Sequence, residues 1–425
     1  MSETSFVRKE ILASQAPPLS EIGIVGWMRE NLFSNWFNTL LTVLSTVSVY
    51  LVLAESIPWI FQSSWTATSL NECRENIARE YGEGVRGACW AVIRERYLQM
   101  LFGFYPSEQY WRPILAFVLM LAALSPILFP ILPRALLLLS AIYPFAGYWL
   151  LWGGSIWGPA SIVAGVAVGF FAMQFVRYRV AMIGVLALSI YLFFRLSGYL
   201  QIALPLGIEP IESAKMGGFL LSVTIGTTGI VLSLPIGIIL ALGRTSNLLI
   251  VKAICVGFIE FIRGVPLITL LFVASTLLNL FMPPGTNFDL ILRVVIMVTM
   301  FASAYMAEVI RGGLAALPRG QYEAADALGL DYWKSIRLII MPQALKISIP
   351  GIVSTFIGLF KDTTLVSIIG LLDPLGLTTS IRADSDWNGI VWELYGFVAV
   401  VFFIFCFAMS RYSMYLERKL ETGNH

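Results

Sequence analysis

Runs of about twenty apolar residues recur along this chain of 425, and no other feature limits its fold as strongly. Hydrocarbon about 30 Å thick offers the backbone no water, so a helix crossing it needs roughly twenty apolar residues in succession. Ten such stretches are read: about 36–57, 113–132, 135–152, 159–176, 180–194, 217–243, 265–282, 290–312, 349–371 and 394–412. The three between 135 and 194 are short and broken by Pro, Gly and "RYR", which leaves two of them open to being one longer span or re-entrant pieces. Only 13% of the residues are charged, against about 25% in soluble domains. The expectation is an all-α, polytopic transmembrane helix bundle.

Lys and Arg in short loops orient such a bundle. In the ten-span reading Arg134, Arg177, Arg179, Arg244, Lys252, Arg319, Lys334, Arg337, Lys346, Arg411, Arg418 and Lys419 share one side, against Arg195, Lys215, Arg293 and Arg382 on the other. The first side is the cytoplasm, which puts both termini inside. The N-terminal segment has charges at Arg8, Lys9, Glu10, Arg29 and Glu30 and no short apolar core, so no cleaved signal is expected. Three segments follow: a cytoplasmic stretch 1–35, a transmembrane part 36–212 with a long external loop 58–112, and a second transmembrane part 213–425 with an inner loop 313–346. The external loop holds Cys73 and Cys89, two of the four cysteines. Oxidising surroundings favour a disulfide there, worth ~3 kcal/mol; two free thiols are the plainer reading. Cys255 and Cys406 lie in or beside spans and carry no role.

Several chemistries drop out. The one histidine is the last residue, His425, so histidine-ligated metalloproteases and histidine-assisted hydrolases have no base or ligand to use. No G-x-x-x-x-G-K-[ST] occurs, hence no phosphate-cradling loop of the chain's own. The basic residues are scattered and the net charge is +2, which gives no nucleic-acid surface. No self-contained enzyme is expected, and no cofactor bound by this chain.

Between two apolar stretches stands "QYEAADALGLDYWKSIRLIIMPQ", residues 321–343. Gln321 to Leu328 favour helix, Gly329 ends it, and Asp331 caps a second helix, Tyr332 to Ile340, stopped by Pro342. Alanines at 324, 325 and 327 keep the first helix slim, while Glu323 and Asp326 stand one turn apart. Such a helix can enter a cleft in another protein; an ordinary amphipathic connector is the alternative.

Glu323-Ala324-Ala325, Gly329, Ile339 and Met341-Pro342 resemble the E-A-A-x-x-x-G-x9-I-x-L-P cytoplasmic loop of ABC importer permeases, with Met341 in place of the usual leucine. "FIEFIRGVPLI" (258–268), "AYMAEVIRGGLAALPRGQYEAADALG" (304–329) and "FKDTTLVSIIG" (360–370) are similar to the polar amino-acid uptake branch of that family. "GIVGWMRENLFS" (23–34) and "GACWAVI" (87–93) resemble the M-type permeases of general L-amino-acid importers, which carry extra N-terminal spans. The resemblance implies a type I importer permease core in the inner membrane. It further implies a coupling role for Glu323, Ala324, Ala325, Asp326 and Gly329 against an ATPase subunit. The implied partners are a homologous second permease forming a heterodimer, two copies of the ATP-binding subunit, which holds ATP and Mg, an external or periplasmic binding protein, and an amino-acid substrate. An ion-coupled secondary transporter is the alternative class; such folds favour internal repeats and broken midplane helices, of which only a short Glu-x-x-Arg-Gly echo is visible.

That echo is Glu260/Arg263/Gly264 and Glu308/Arg311/Gly312. Each i, i+3 pair shares a helix face, leaving either two locally neutralised pairs or one cross-linked cytoplasmic gate. Lys361 and Asp362 interrupt an apolar run and precede Thr363 and Thr364, with Thr355 two turns earlier. Charges at membrane depth usually face a cavity or each other, so a substrate pathway and a mutual ion pair are both open.

Overall fold

The computed structural model describes residues 23–176, 179–277 and 288–421. Expectations that fall on 1–22, Arg177, 278–282 and His425 lie outside the described residues. The chain falls into two compact units that meet at Ala91 and Val92.

In the first unit α1 (Gly23–Asn31) precedes the long apolar α2 (Trp36–Phe61). Asn35 starts α2, its side chain accepting a hydrogen bond from the Asn38 amide at 2.8 Å. Ser69 likewise caps α3 (Leu70–Tyr81), accepting from the Glu72 amide, while the Glu72 carboxylate accepts from the Thr68 amide at 2.7 Å. That backbone bond holds the Glu72 carboxyl below the ordinary range. The external segment read as a loop therefore contains a capped helix. Cys73 and Cys89, both buried, are joined by a disulfide with Cα atoms 6.1 Å apart, and Trp59 meets Trp90 edge-on at 5.8 Å.

The second unit runs α4 (Ala91–Phe102), α5 (Trp111–Leu128), α6 (Leu137–Trp152), α7 (Trp157–Met173), α8 (Arg179–Ala203), α9 (Gly218–Arg244), α10 (Leu249–Gly264) and α11 (Leu267–Phe272). After the undescribed stretch come α12 (Leu290–Ala315), α13 (Arg319–Ala327), α14 (Tyr332–Ser335), α15 (Met341–Asp362), α16 (Pro374–Arg382) and α17 (Trp392–Glu421). A two-stranded antiparallel link pairs β1 (Gly154–Ser155) with β2 (Gly207–Ile208). Its core is built on α9 and α12, with Leu221, Ile225, Val294, Val298, Leu359 and Val366 buried together. Small residues let these helices approach: a Cβ at Gly237 would stand 2.7 Å from the Met306 side chain.

Eight helices among the described residues are long and apolar enough to cross a membrane, or nine if one bent pair counts as a span. α7, at 17 residues, is apolar and shorter, at the lower end of what suffices to cross. α6, α7 and α8 are separate helices rather than one longer span.

Two expectations need correction. The span expected at 265–282 opens instead as a bent pair, α10 and α11 meeting at 102°. Pro266 lacks the amide that would continue α10 and forces the residue before it out of the helical region; Val265 is extended at φ −110°, ψ 131°. Pro342 does not stop its helix either. Residues 336–340 widen to a π-turn, and Pro342 falls in the first turn of α15, where a missing N–H costs little. Helix thus continues from Tyr332 to Ile369, tightening to a 3₁₀ turn over 363–369.

Candidate functional site

Three groups of polar residues were expected to carry function, and the structure shows where each stands. α13 and α14 form a two-helix loop between the long α12 and α15. The slim helix forms as the alanine-rich sequence favours, and it is pinned through Ala325, which is wholly buried. Gly329 reverses the chain at φ +68°, a conformation costly for residues bearing a Cβ. Leu330 then donates its amide to the Ala325 carbonyl at 3.2 Å, closing the helix end. Asp331 caps α14 by accepting from the Lys334 amide at 3.0 Å, which lowers its carboxyl's pKa. Gln343 of α15 donates to Gln321 at 2.9 Å and holds the loop against the bundle.

The outward side of this loop matters most. Glu323, Ala324, Asp326 and Gly329 are exposed. In the same loop and the turn that follows it, Leu328, Tyr332, Trp333 and Leu338 are exposed by 72%, 55%, 61% and 63%. A patch of large apolar and aromatic side chains rimmed by charge marks a protein contact more often than bare solvent-facing surface. Sequence reasoning saw the carboxylates and missed this apolar rim, although Tyr332, Trp333 and Leu338 were readable as large residues in a polar loop.

The second group is one cluster rather than two local pairs. Glu308, with 16% of its side chain exposed, meets Arg244 at 3.0 Å, Arg263 at 3.4 Å and Arg311 at 3.2 Å. Glu260 pairs with Arg244 at 2.7 Å rather than with Arg263, its neighbour one turn on. Arg263 also lies over the Tyr305 ring, 5.5 Å from its centroid. The cluster thus ties α9, α10 and α12 together at one end of the bundle. Arg244 is the member that sequence spacing missed, because its partners lie on other helices.

Lys361 and Asp362 end α15 where the helix tightens. Lys361 is exposed and Asp362 half-buried, and no ion pair joins them among the described residues. Thr355 stands seven residues before Asp362, on the same helix face, and is also half-buried. Thr363 is wholly buried and donates its hydroxyl to the Phe360 carbonyl at 2.7 Å; Thr364 donates to the Lys361 carbonyl at 2.9 Å.

The described residues thus form a polytopic helical bundle with a charge cluster tying three of its helices and an exposed two-helix loop between α12 and α15. A family model described as "binding-protein-dependent transport system inner membrane component" matches residues 233–422. The chain is 57% identical, over the whole of both chains, to a glutamate/glutamine/aspartate/asparagine transport system permease protein of Rhodobacter capsulatus. It is 41% identical, over 93% of each chain, to an inner membrane amino-acid ABC transporter permease protein of Escherichia coli. A glutamate/aspartate import permease protein of Escherichia coli is 30% identical over half of this chain and 96% of its own length. The chain belongs to the polar amino-acid permeases of ABC importers, and is therefore a multi-pass inner-membrane transport component.

Proposed function

We propose that this chain is the permease subunit through which an ATP-driven importer moves polar L-amino acids inward, with acidic amino acids and their amides as the substrate group. The relative from Rhodobacter capsulatus is named for those four substrates and matches end to end. In this reading Lys361, Asp362, Thr355, Thr363 and Thr364 border the pathway, and the Glu308 cluster, with Glu260, Arg263 and Arg311, closes it at the cytoplasmic side. Three guanidiniums against two carboxylates leave the cluster net positive, which suits passage of an anionic side chain. Both termini are cytoplasmic, from the distribution of Lys and Arg.

The observation that carries the proposal is the outward face of α13, where Glu323, Ala324 and Asp326 are exposed, with Leu328 and Trp333 also exposed in the same loop. Its occupant is a separate ATP-hydrolysing subunit, present in two copies and holding ATP and Mg. A homologous second permease completes a heterodimer, and an external binding protein delivers the amino acid. Hydrolysis moves the ATPase, the rigid two-helix loop follows it, and α12 and α15 carry the movement to the pathway.

Reversing the charge at Glu323 tests this in the reconstituted complex. Losing one side of a buried charge contact costs ~2–5 kcal/mol, so Glu323→Lys is expected to abolish substrate-stimulated ATP hydrolysis while leaving the permease folded. Unchanged stimulation rejects the coupling role.

A further inference from the structure

We propose that Gln343 is a brace that makes the α13–α14 loop and α15 move as one piece, by clamping the π-turn between them. The inference rests on the reading of this loop as the place where the ATP-hydrolysing subunit pushes. It names the residue through which the push reaches α15.

Residues 336–340 are the weak stretch of an otherwise continuous helix from Tyr332 to Ile369. The Met341 amide reaches back five residues to the Ile336 carbonyl, one more than in an α-helix. Pro342 follows and has no amide to give. The ladder is thus widened and then interrupted, and helices bend at such points. Left to itself, the turn would absorb a push on α13 before α15 moved.

Gln343, in the first turn of α15, spans this stretch. Its side-chain nitrogen donates to the Ile339 carbonyl inside the turn at 3.0 Å and to the Gln321 side-chain oxygen of α13 at 2.9 Å. The Ile339 carbonyl can only accept, which fixes the nitrogen end of Gln343 toward it, and the amide has one N–H for each partner. Either bond alone would be ordinary. Together they bring α13, the turn and α15 to a single nitrogen. Packing holds the turn's inner side, where Ile336 and Ile340 share a buried cluster with Ile310 and Leu314 of α12.

The test uses the complete importer in liposomes and reads the amino acid taken up per ATP hydrolysed. Leucine is close to glutamine in size and makes no hydrogen bond, so Gln343→Leu and Gln321→Leu each remove the link between α13 and α15. The ratio is expected to fall about fivefold in either variant, the scale of one net hydrogen bond. The double variant should fall no further, because both changes break the same link. A merely structural role would lower uptake and hydrolysis together and leave the ratio where it was. Spin labels at Leu328→Cys and Ile347→Cys, exposed positions on either side of the turn, are read in a chain with Cys255 and Cys406 replaced by alanine. They should give one narrow distance, which broadens when Gln343→Leu is added. An unchanged ratio, additive losses in the double variant, or an equally narrow distance overturns the proposal. So does failure of Gln343→Leu to assemble with the ATPase, which would make Gln343 a residue that the loop needs for its shape. The coupling reading itself fails differently: it falls if Glu323→Lys keeps its stimulation, whereas a failed brace leaves the Glu323→Lys result as expected.

Discussion

Glu308 holds three guanidiniums on one carboxylate, whereas Glu260, among the described residues, pairs with Arg244 alone and is 54% exposed. Removing the two should therefore cost very different amounts. Glu308→Ala leaves Arg244, Arg263 and Arg311 facing one another in a half-shielded site, and breaking such pairs costs about 3–5 kcal/mol when fully buried. Partial exposure trims that to about 2–3 kcal/mol. Glu260→Ala removes an exposed pair worth about 0–1 kcal/mol. Denaturant unfolding of the purified chain should rank the variants so; equal losses would show that Glu308 is not the hub. Asp373, wholly buried at the start of α16, gives a pH test. Burial raises its pKa from 3.8 to about 6, against the amides of Gly376 and Leu375, which favour the charged form. Between about pH 4 and 6 the folded chain then holds a proton that the unfolded chain has lost. Stability should fall as pH rises through that window, by up to roughly 3 kcal/mol. Asn does not titrate and keeps one of the two oxygens that accept from the Gly376 and Leu375 amides, so Asp373→Asn should flatten the dependence of unfolding temperature on pH.

At the scale of elements, two glycines of the α13–α14 loop make opposite predictions. Gly329 stands at φ +68° with open space around it, so Gly329→Ala meets no clash and costs only the left-handed backbone, about 1–2 kcal/mol. Gly320 lies inside α13, also in open space and with an ordinary φ. Ala there should stabilise by about 0.4–1 kcal/mol. Thermal unfolding of both variants reads the signs, and the same sign for both would contradict the turn geometry. This loop was also the most legible part of the sequence, because its signals are local: helix-forming alanines, a terminating glycine, an Asp cap. The Glu308 cluster was half legible. The i, i+3 spacing gave Glu308 with Arg311, but helices 9, 10 and 12 must pack before Arg244 can meet Glu260 and Glu308. Periodicity also hid the bend at Pro266, since α10 and α11 are each apolar and a hydropathy window cannot see an angle. Pro342 misled for a related reason. A proline reads as a stop, yet the π-turn before it moves it into a first turn where it is tolerated.

For the whole molecule, orientation is the property on which the coupling proposal depends, and burial decides how to measure it. Cys73 and Cys89 are buried and bonded to each other, and Ser335 is only 7% exposed, so thiol reagents at these positions would report packing rather than side. Glu75 on α3 and Lys334 on α14 are both exposed. In a chain with Cys255 and Cys406 replaced by alanine, a membrane-impermeant maleimide applied to whole cells should label Glu75→Cys. It should label Lys334→Cys only after the membrane is opened. Short loops rich in Lys and Arg stay on the cytoplasmic side, while a long folded segment crosses largely regardless of its charge. The loop carrying Lys334 also carries Arg319 and Arg337, and the segment carrying Glu75 is closed by a disulfide, which persists in oxidising surroundings. The two probes are therefore expected on opposite sides of the membrane. Labelling of Lys334→Cys in intact cells would put the α13–α14 loop outside, where no ATP-hydrolysing subunit can reach it, and the coupling proposal would fall with the topology.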